Sequence, residues 1–425
     1  MAGLWPSVPR TLALASLQLG APAGLCPGRS SLRFCSLSAE APGQRPAASC
    51  ARVGASAVGV LLVAGQRRLR LRRCRRQIRH ACLGHVLEGQ EVLIEAVEGL
   101  SVAEGRVVEI REVSPGPGLQ TRHFSLRCHG GSTFLVKVGR GPVTTFQAEK
   151  AGLEALAAAS NGLGLVVPAP HTLGEMPEGR GSFLVMDFLR FIPFGPSIPE
   201  VVEKLGQSLA LLHGSAVPLV TSSGAKSDWN QPYGFEGGLQ TFLSAWPQDN
   251  SPESDFAEFF VQRRLRPQLE AASLKFQFRY GTSNEDSTAL ARLYTRVLKG
   301  AEEALEPVRH CKPSLLHGDL WTGNTGATQS RQPILVDPAC WVGHAEFDLA
   351  VSQLFGKFPA RFYDAYFEVA PKEPGFQERQ NVYMLYHLLN QANLHGAGLG
   401  HGGTPENPGG YLEQAIAAME RLAKA

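Results

Sequence analysis

Acidic residues are all but absent from the first 87 positions: Glu40 stands alone there against thirteen arginines, and lysine is missing altogether. The whole chain of 425 residues has a formal charge of +3, so residues 1–87 carry +12 and residues 88–425 carry −9. An acidic remainder argues against nucleic acid as a partner, because neutralising phosphates requires a basic face on the folded domain itself. Cysteine is scarce beyond the N-terminal segment, with only Cys128, Cys311 and Cys340 after Cys82. Three well-separated thiols build no disulfide framework, and no CxxC pair or Cys/His cluster has zinc-ligand spacing. The chain also lacks a run of about 20 apolar residues, the length a helix needs to cross a bilayer. The uncharged stretch Val53–Gln66 stops at fourteen residues. No stable membrane span is expected.

What the first 87 residues do contain reads as an address. Residues 1–50 are rich in Ala, Gly, Pro, Ser and Leu, and Arg67, Arg68, Arg70, Arg72, Arg73, Arg75, Arg76 and Arg79 form a run. Basic, serine-containing and nearly acid-free composition is that of a transit peptide. We expect a plastid address read by organelle import machinery, with a mitochondrial or cytoplasmic location as the alternatives. A disordered arginine-rich arm and a secretory signal with a core at Thr11–Leu25 are the competing readings. The expected division is 1–87 as a disordered targeting region, 88–190 as one lobe and 191–425 as a second. Hydrophobic residues make up 44% of the chain, enough to fill two such lobes.

From Gly105 the pattern turns β-like. Arg106–Val113 is rich in Val and Ile, Ser114-Pro115-Gly116-Pro117-Gly118 breaks it, and His123–Cys128 alternates. Gly130-Gly131 then turns the chain into the apolar strand Thr133–Val138, which contains Lys137. A buried ammonium is costly unless an anion pairs with it, so a partner is expected. Glu149 offers one, early in a proline-free segment, Thr145–Ser160, whose Ala and Leu favour a helix. A strand at Ser182–Phe188 leads into a proline-rich connection, Pro193–Pro199, with the look of a hinge. Beyond it the chain reads as helical over Pro199–His213, Phe256–Ser273, Ser287–Leu305, Arg361–Val369, Glu378–Leu394 and Leu412–Lys424. Segments 221–237 and 396–410 read as loops.

One stretch carries chemistry. Leu315-Leu316-His317-Gly318-Asp319 is followed by Asn324 and then by the apolar strand Ile334-Leu335-Val336, which ends in Asp337. An Asp with an Asn five positions later, and an Asp closing a short hairpin, is the arrangement of kinase-fold phosphotransferases. Phosphoryl transfer needs no covalent protein nucleophile. It needs a carboxylate to orient and deprotonate the attacking hydroxyl, and oxygen ligands for magnesium. Asp319 fits the base, and Asn324 and Asp337 fit the metal. The glycines Gly116 and Gly118 with Lys137 and Glu149 then fit a phosphate-binding end for ATP. The expected fold is α+β and protein-kinase-like, with a small β-rich N-lobe and a larger helical C-lobe, as in aminoglycoside phosphotransferases.

The words LLHGDLWTGN, VDPACWVGHAEFDLA and LFGKFPARFYDAY narrow this further, together with FLVKV, FQAEKAGLEAL, SFLVMDFL, LGQSLALLH and FFVQRRLRPQL at a distance. In these the sequence resembles the fructosamine-3-kinase and ketosamine-3-kinase family, over roughly residues 88–425. The resemblance implies ATP with Mg2+ and phosphorylation of the sugar 3-hydroxyl of a ketoamine on a glycated small amine or protein lysine. The labile 3-phosphate then sheds the sugar and restores the amine. It also implies that Lys137 and Glu149 anchor the nucleotide, that Met186, Asp187, Phe188 and Leu189 lie against adenine, and that ribulosamine adducts are preferred over fructosamine ones. Trp321, Trp341 and His344 either line the sugar pocket or pack in the core. Asp348 is expected to cap a helix and brace the catalytic loop. Relatives with a cysteine in the glycine-rich loop differ from this chain, which reads Gly116-Pro117-Gly118-Leu119-Gln120, so no thiol switch carries over. The rivals are a kinase of the same fold acting on an aminoglycoside or choline, and a pseudokinase that only binds.

Overall fold

The computed structural model describes residues 90–113, 121–190, 192–215, 233–235, 238–276, 284–354, 357–396 and 410–424. A short helix, α1 (Gln90–Glu98), precedes β1 (Val107–Glu112), β2 (Thr121–Cys128) and β3 (Thr133–Gly139). Then come α2 (Val143–Ala159), β4 (Pro170–Glu175) and β5 (Ser182–Asp187). The five strands form one antiparallel sheet in the order β1-β2-β3-β5-β4. In β2, Phe124, Leu126 and Cys128 share one face and are buried while Arg127 on the other face is exposed; Arg122, at the start of the strand on the same face as Phe124, is exposed and lies over the Phe124 ring. Helix α2 covers the other face, with Phe146 and Leu153 packed on Leu184 and Met186.

The connection after β5 is tied down at once. Ile192 and Pro193 form β6, which pairs with β7 (Thr325–Ala327), and β7 pairs in turn with β8 (Pro333–Leu335). The expected hinge is thus stitched to the hairpin that lies between Asn324 and Asp337. Helix α3 (Pro199–Gly214) starts with Pro199 in its first turn, where its missing N–H costs nothing, and buries Val202, Leu205, Leu209 and Leu212. It lies close against the helix Ala360–Val369 because Gly206 has no side chain; a Cβ there would meet the Phe362 carbonyl oxygen at 2.3 Å.

The helices Phe256–Phe276, Asn284–Leu305, Glu346–Val351, Phe376–His395 and Gly410–Leu422 build an aromatic core of Phe256, Phe259, Phe260, Trp341, Phe347, Tyr383 and Tyr386. The segment expected as one plain helix from Phe256 contains a π-helical turn at Val261–Leu265. The widened turn buries Val261, Arg264 and Leu265 together. Helix α1, strand β4 and the hairpin Thr241–Gln248 have no counterpart in the sequence reading; β4 opens on a proline and contains a glycine, which hides it. Among the described residues no helix is long and apolar enough to cross a membrane. The architecture is the expected one, a small sheet lobe followed by a larger helical lobe.

Candidate active site

Lys137 sits on β3 with its side chain 5% exposed, and two carboxylates meet it. Its Nζ donates to Glu149 Oε1 on α2 and to Asp337 Oδ1, each at 2.5 Å. Burial alone would depress the lysine pKa, but Asp337 and Glu149 outweigh it and hold the ammonium above its ordinary value. Burial pushes Glu149 up, whereas Lys137 overcomes the same effect at Asp337 and holds that carboxyl below its usual range. The anion expected for Lys137 is present twice. Asp337 keeps 41% of its side chain exposed, so it faces both the lysine and the cleft.

Asp337 adopts φ 54°, a left-handed conformation that Asp tolerates better than most side chains and that the surrounding hydrogen bonds enforce. Ala339 N–H donates to the His317 carbonyl and Val336 N–H to the Asn324 carbonyl, lacing the two loops together. His317 completes the lacing with its ring: Nε2–H donates to the Val336 carbonyl at 2.9 Å, and Nδ1 accepts the Asp319 N–H at 3.3 Å. That pair of bonds requires a neutral imidazole, and burial lowers its pKa accordingly. Gly318, at φ 81°, must be glycine, since a Cβ would stand 2.1 Å from the Ala339 carbonyl oxygen.

Asp319 is oriented from one side by Asn324, whose Nδ2 donates to Asp319 Oδ2 and to the Asp319 carbonyl, both at 2.9 Å. Burial raises the Asp319 pKa to about 7, with Asp337 and Asp348 adding to the rise and Asn324 opposing it. A carboxyl poised there suits a general base near neutral pH. Among the described residues no group of three or more His, Cys, Asp or Glu is arranged to hold an ion. Asn324 Oδ1 and the Asp337 carboxylate could supply two oxygen ligands, a part-shell of the kind Mg2+ takes beside phosphates and water.

Beneath the loop lies a buried brace. Asp348, fully enclosed, accepts the His317 N–H at 2.7 Å and the Gly318 N–H at 2.9 Å. His213, from the last turn of α3, donates to the same carboxylate at 3.3 Å and meets the Tyr366 hydroxyl with its other nitrogen. The loop-bracing part of the expectation for Asp348 is what the geometry shows. The capping part is not, because Asp348 lies inside the short helix Glu346–Val351, whose N-cap is Ala345 with no side-chain cap.

The other expected residues fall in different places. Trp321 is 36% exposed, on the loop between Asp319 and Asn324. Trp341 and His344 lie inside the helical core: Trp341 is 0% exposed, stacked on Phe259 with the Arg264 guanidinium over its ring, and His344 bonds Tyr383. Core packing is thus the reading that fits those two. Met186 is packed on α2, and Asp187 pairs with His171 and the Ala169 N–H, so both side chains serve the sheet lobe. Phe188 and Leu189 remain half-buried at its edge. Gly116 and Gly118 lie outside the described residues. The sequence reading missed His123, which faces Lys137 directly across β2–β3 and whose pKa is lowered by burial and by that ammonium. It also missed Arg379, which holds the buried Glu346 through two bonds of 2.8 and 2.7 Å.

Comparison with known proteins gives the family. The family model described as fructosamine kinase matches residues 95–404. The chain belongs to the fructosamine kinase family. It is accordingly a phosphotransferase. It is 36% identical over 300 residues, 70% of this chain and 82% of the relative, to the chloroplastic protein-ribulosamine 3-kinase of Arabidopsis thaliana. Against the ketosamine-3-kinase of Mus musculus the figures are 32% over 265 residues, 60% and 79%. A solved structure described as a fructosamine-3-kinase, from Thermobifida fusca, superposes with TM-score 0.57 at 25% identity, covering 78% of this chain and 99% of its own. Another, from Haemophilus somnus, has TM-score 0.60 at 23% identity, covers 78% and 96%, and shows the same fold.

Proposed function

We propose that this fructosamine kinase family member transfers the γ-phosphoryl group of ATP, with Mg2+, to the sugar 3-hydroxyl of a ketosamine. The observation that carries the reading is the half-buried Asp319, poised at about 7 and fixed by Asn324, next to the loop whose Asp337 holds Lys137. Asp319 takes the proton of the attacking hydroxyl as that oxygen bonds to the γ-phosphorus and the bond from phosphorus to the β,γ-bridging oxygen breaks, releasing ADP. Lys137, held by Glu149, would contact the phosphates, and Asn324 and Asp337 would hold the metal. Magnesium would supply charge neutralisation along the phosphates.

The substrate class rests on the relatives, which are named ribulosamine and ketosamine kinases, and on the acidity of residues 88–425. A net charge of −9 favours glycated amines and lysines over anionic sugars, through steering that weakens with salt. The 3-phosphate of such an adduct is labile, so the product loses its sugar and the amine is restored, a deglycation. The names of the plant relatives also support a plastid location reached by the arginine-rich N-terminal segment through the import machinery. A fluorescent protein fused behind residues 1–87 should enter plastids; a cytosolic fusion would overturn that location. The activity is tested by ADP release from a panel of ribulosyl-lysine, fructosyl-lysine, choline and an aminoglycoside. Turnover confined to the two ketosamines is the expected result, and turnover confined to the controls would contradict the reading.

A further inference from the structure

Glu149 on α2 and Asp337 on the loop after Val336 both reach Lys137, and each has a neighbour three positions further along the chain that meets its counterpart. On α2, Gly152 shares a face with Glu149, as residues three apart on a helix do. On the loop, Cys340 follows Asp337 by the same interval. Gly152 and Cys340 are both buried. The Cys340 thiol donates to the Gly152 carbonyl at 3.5 Å. A Cβ added to Gly152 would stand 3.2 Å from both Cβ and Sγ of Cys340 and 3.5 Å from Cγ of Pro338. The helix backbone therefore rests directly on the loop, one helical turn from the ion pair. Burial holds the Cys340 thiol well above its ordinary pKa, so it remains a protonated donor.

We propose that the Gly152–Cys340 contact is a latch that seats α2 on the loop after Asp337 and thereby sets the span between Glu149 and Asp337 across Lys137. Both are positioning residues for the nucleotide end of the reaction, and the inference rests on the assignment of Lys137, Glu149 and Asp337 to that end. Bulk at position 152 lifts the helix, and Glu149 moves with it. Lys137 is then held by Asp337 alone and is misplaced for the phosphates. The acceptor site, built around Asp319, is unaffected in this account.

The test combines steady-state kinetics with the ATP–Mg2+ dependence of the thermal unfolding midpoint, which needs no acceptor. Gly152→Ala, which requires the helix or the loop to give by a few tenths of an ångström, should raise KM for ATP and lower kcat, together about 3- to 10-fold in kcat/KM, with KM for the ketosamine unchanged. Gly152→Ala combined with Cys340→Gly should regain most of that loss, because the second change vacates the space the first one fills. Glu149→Gln with Gly152→Ala should be no worse than Glu149→Gln alone, since both act on one ion pair. Cys340→Val adds bulk from the other side and should give the same pattern if Gly152→Ala does not fold. A folded Gly152→Ala enzyme with normal ATP kinetics, or losses that multiply with Glu149→Gln, would overturn the latch alone. A wild-type protein whose midpoint does not respond to ATP–Mg2+ would overturn the nucleotide assignment as well.

Discussion

Asn324 grips Asp319 twice, with one side-chain nitrogen donating to the carboxylate and to the main-chain carbonyl of the same residue, both at 2.9 Å. The turn Thr322–Asn324 brings the two together, and a third, longer contact at 3.5 Å links the same nitrogen to the Asp337 carbonyl. The residues proposed as base and metal ligands are thus linked by the hydrogen bonds of one amide group.

Replacing Asp319 by Asn removes the base and keeps the shape. Turnover should fall at least about 100-fold, the lower end of what a positioned base contributes. The ATP–Mg2+ shift of the unfolding midpoint should survive, because the residues assigned to the phosphates are untouched. Near-normal turnover in the folded variant would remove Asp319 from the role.

The raised pKa of Asp319 fixes the sign of the pH dependence. The carboxylate is the active form, and burial first, then Asp337 and Asp348, push its pKa to about 7. Activity on ketosamine should accordingly fall as pH drops below about 7, approaching tenfold per unit, and level off above it. A profile of kcat/KM for the acceptor, flat from pH 5 to about 8, would contradict the assignment.

Much of this was legible in the sequence because the chemistry there is local. Asp319, Asn324 and Asp337 sit within one loop–hairpin unit, so their spacing is preserved in the fold. Lys137 betrayed itself as a charge inside an apolar strand, which demanded an anion. Partners brought from afar left weaker traces. His213 ends an ordinary amphipathic helix, and nothing in its neighbourhood shows that it meets Asp348 across 135 positions. Arg379 looked like one more polar residue at a helix start, yet it neutralises Glu346 in the core. Trp341 and His344 were ambiguous because aromatic rings serve sugar pockets and cores alike. Only the packing of Phe259, Arg264 and Tyr383 around them separates the two.

Asp348 should prove necessary for the shape of the catalytic loop. Asn at that position offers an amide N–H to one of the two backbone N–H groups the carboxylate now accepts, leaving a buried donor unpaired at a cost of about 1–3 kcal/mol. The His213 hydrogen bond and charge overcome burial and hold Asp348 below its ordinary pKa. Its contribution to stability is thus present above the ordinary carboxylate range and is lost as pH falls through the lower, folded value. Denaturant unfolding of Asp348→Asn at neutral and acidic pH should show a deficit that shrinks on acidification; a constant deficit would argue against this linkage.

Arg379→Met strands the Glu346 carboxylate in the core and should cost about 3–5 kcal/mol, the range seen when one partner of a buried pair is removed. Adding Glu346→Gln to that variant should recover part of the loss. Denaturation midpoints of the single and double variants measure both effects, and a double variant no more stable than Arg379→Met would show that charge is not the cause.

The most direct test of the central claim is to locate the phosphate. Ribulosyl-lysine and fructosyl-lysine are each incubated with enzyme, ATP and Mg2+, and the products are read by phosphorus–proton correlation NMR. Phosphate coupled to the proton on C3 is the predicted result, with the ribulosyl substrate showing the higher kcat/KM. Phosphate on any other hydroxyl, in either product, would contradict the account.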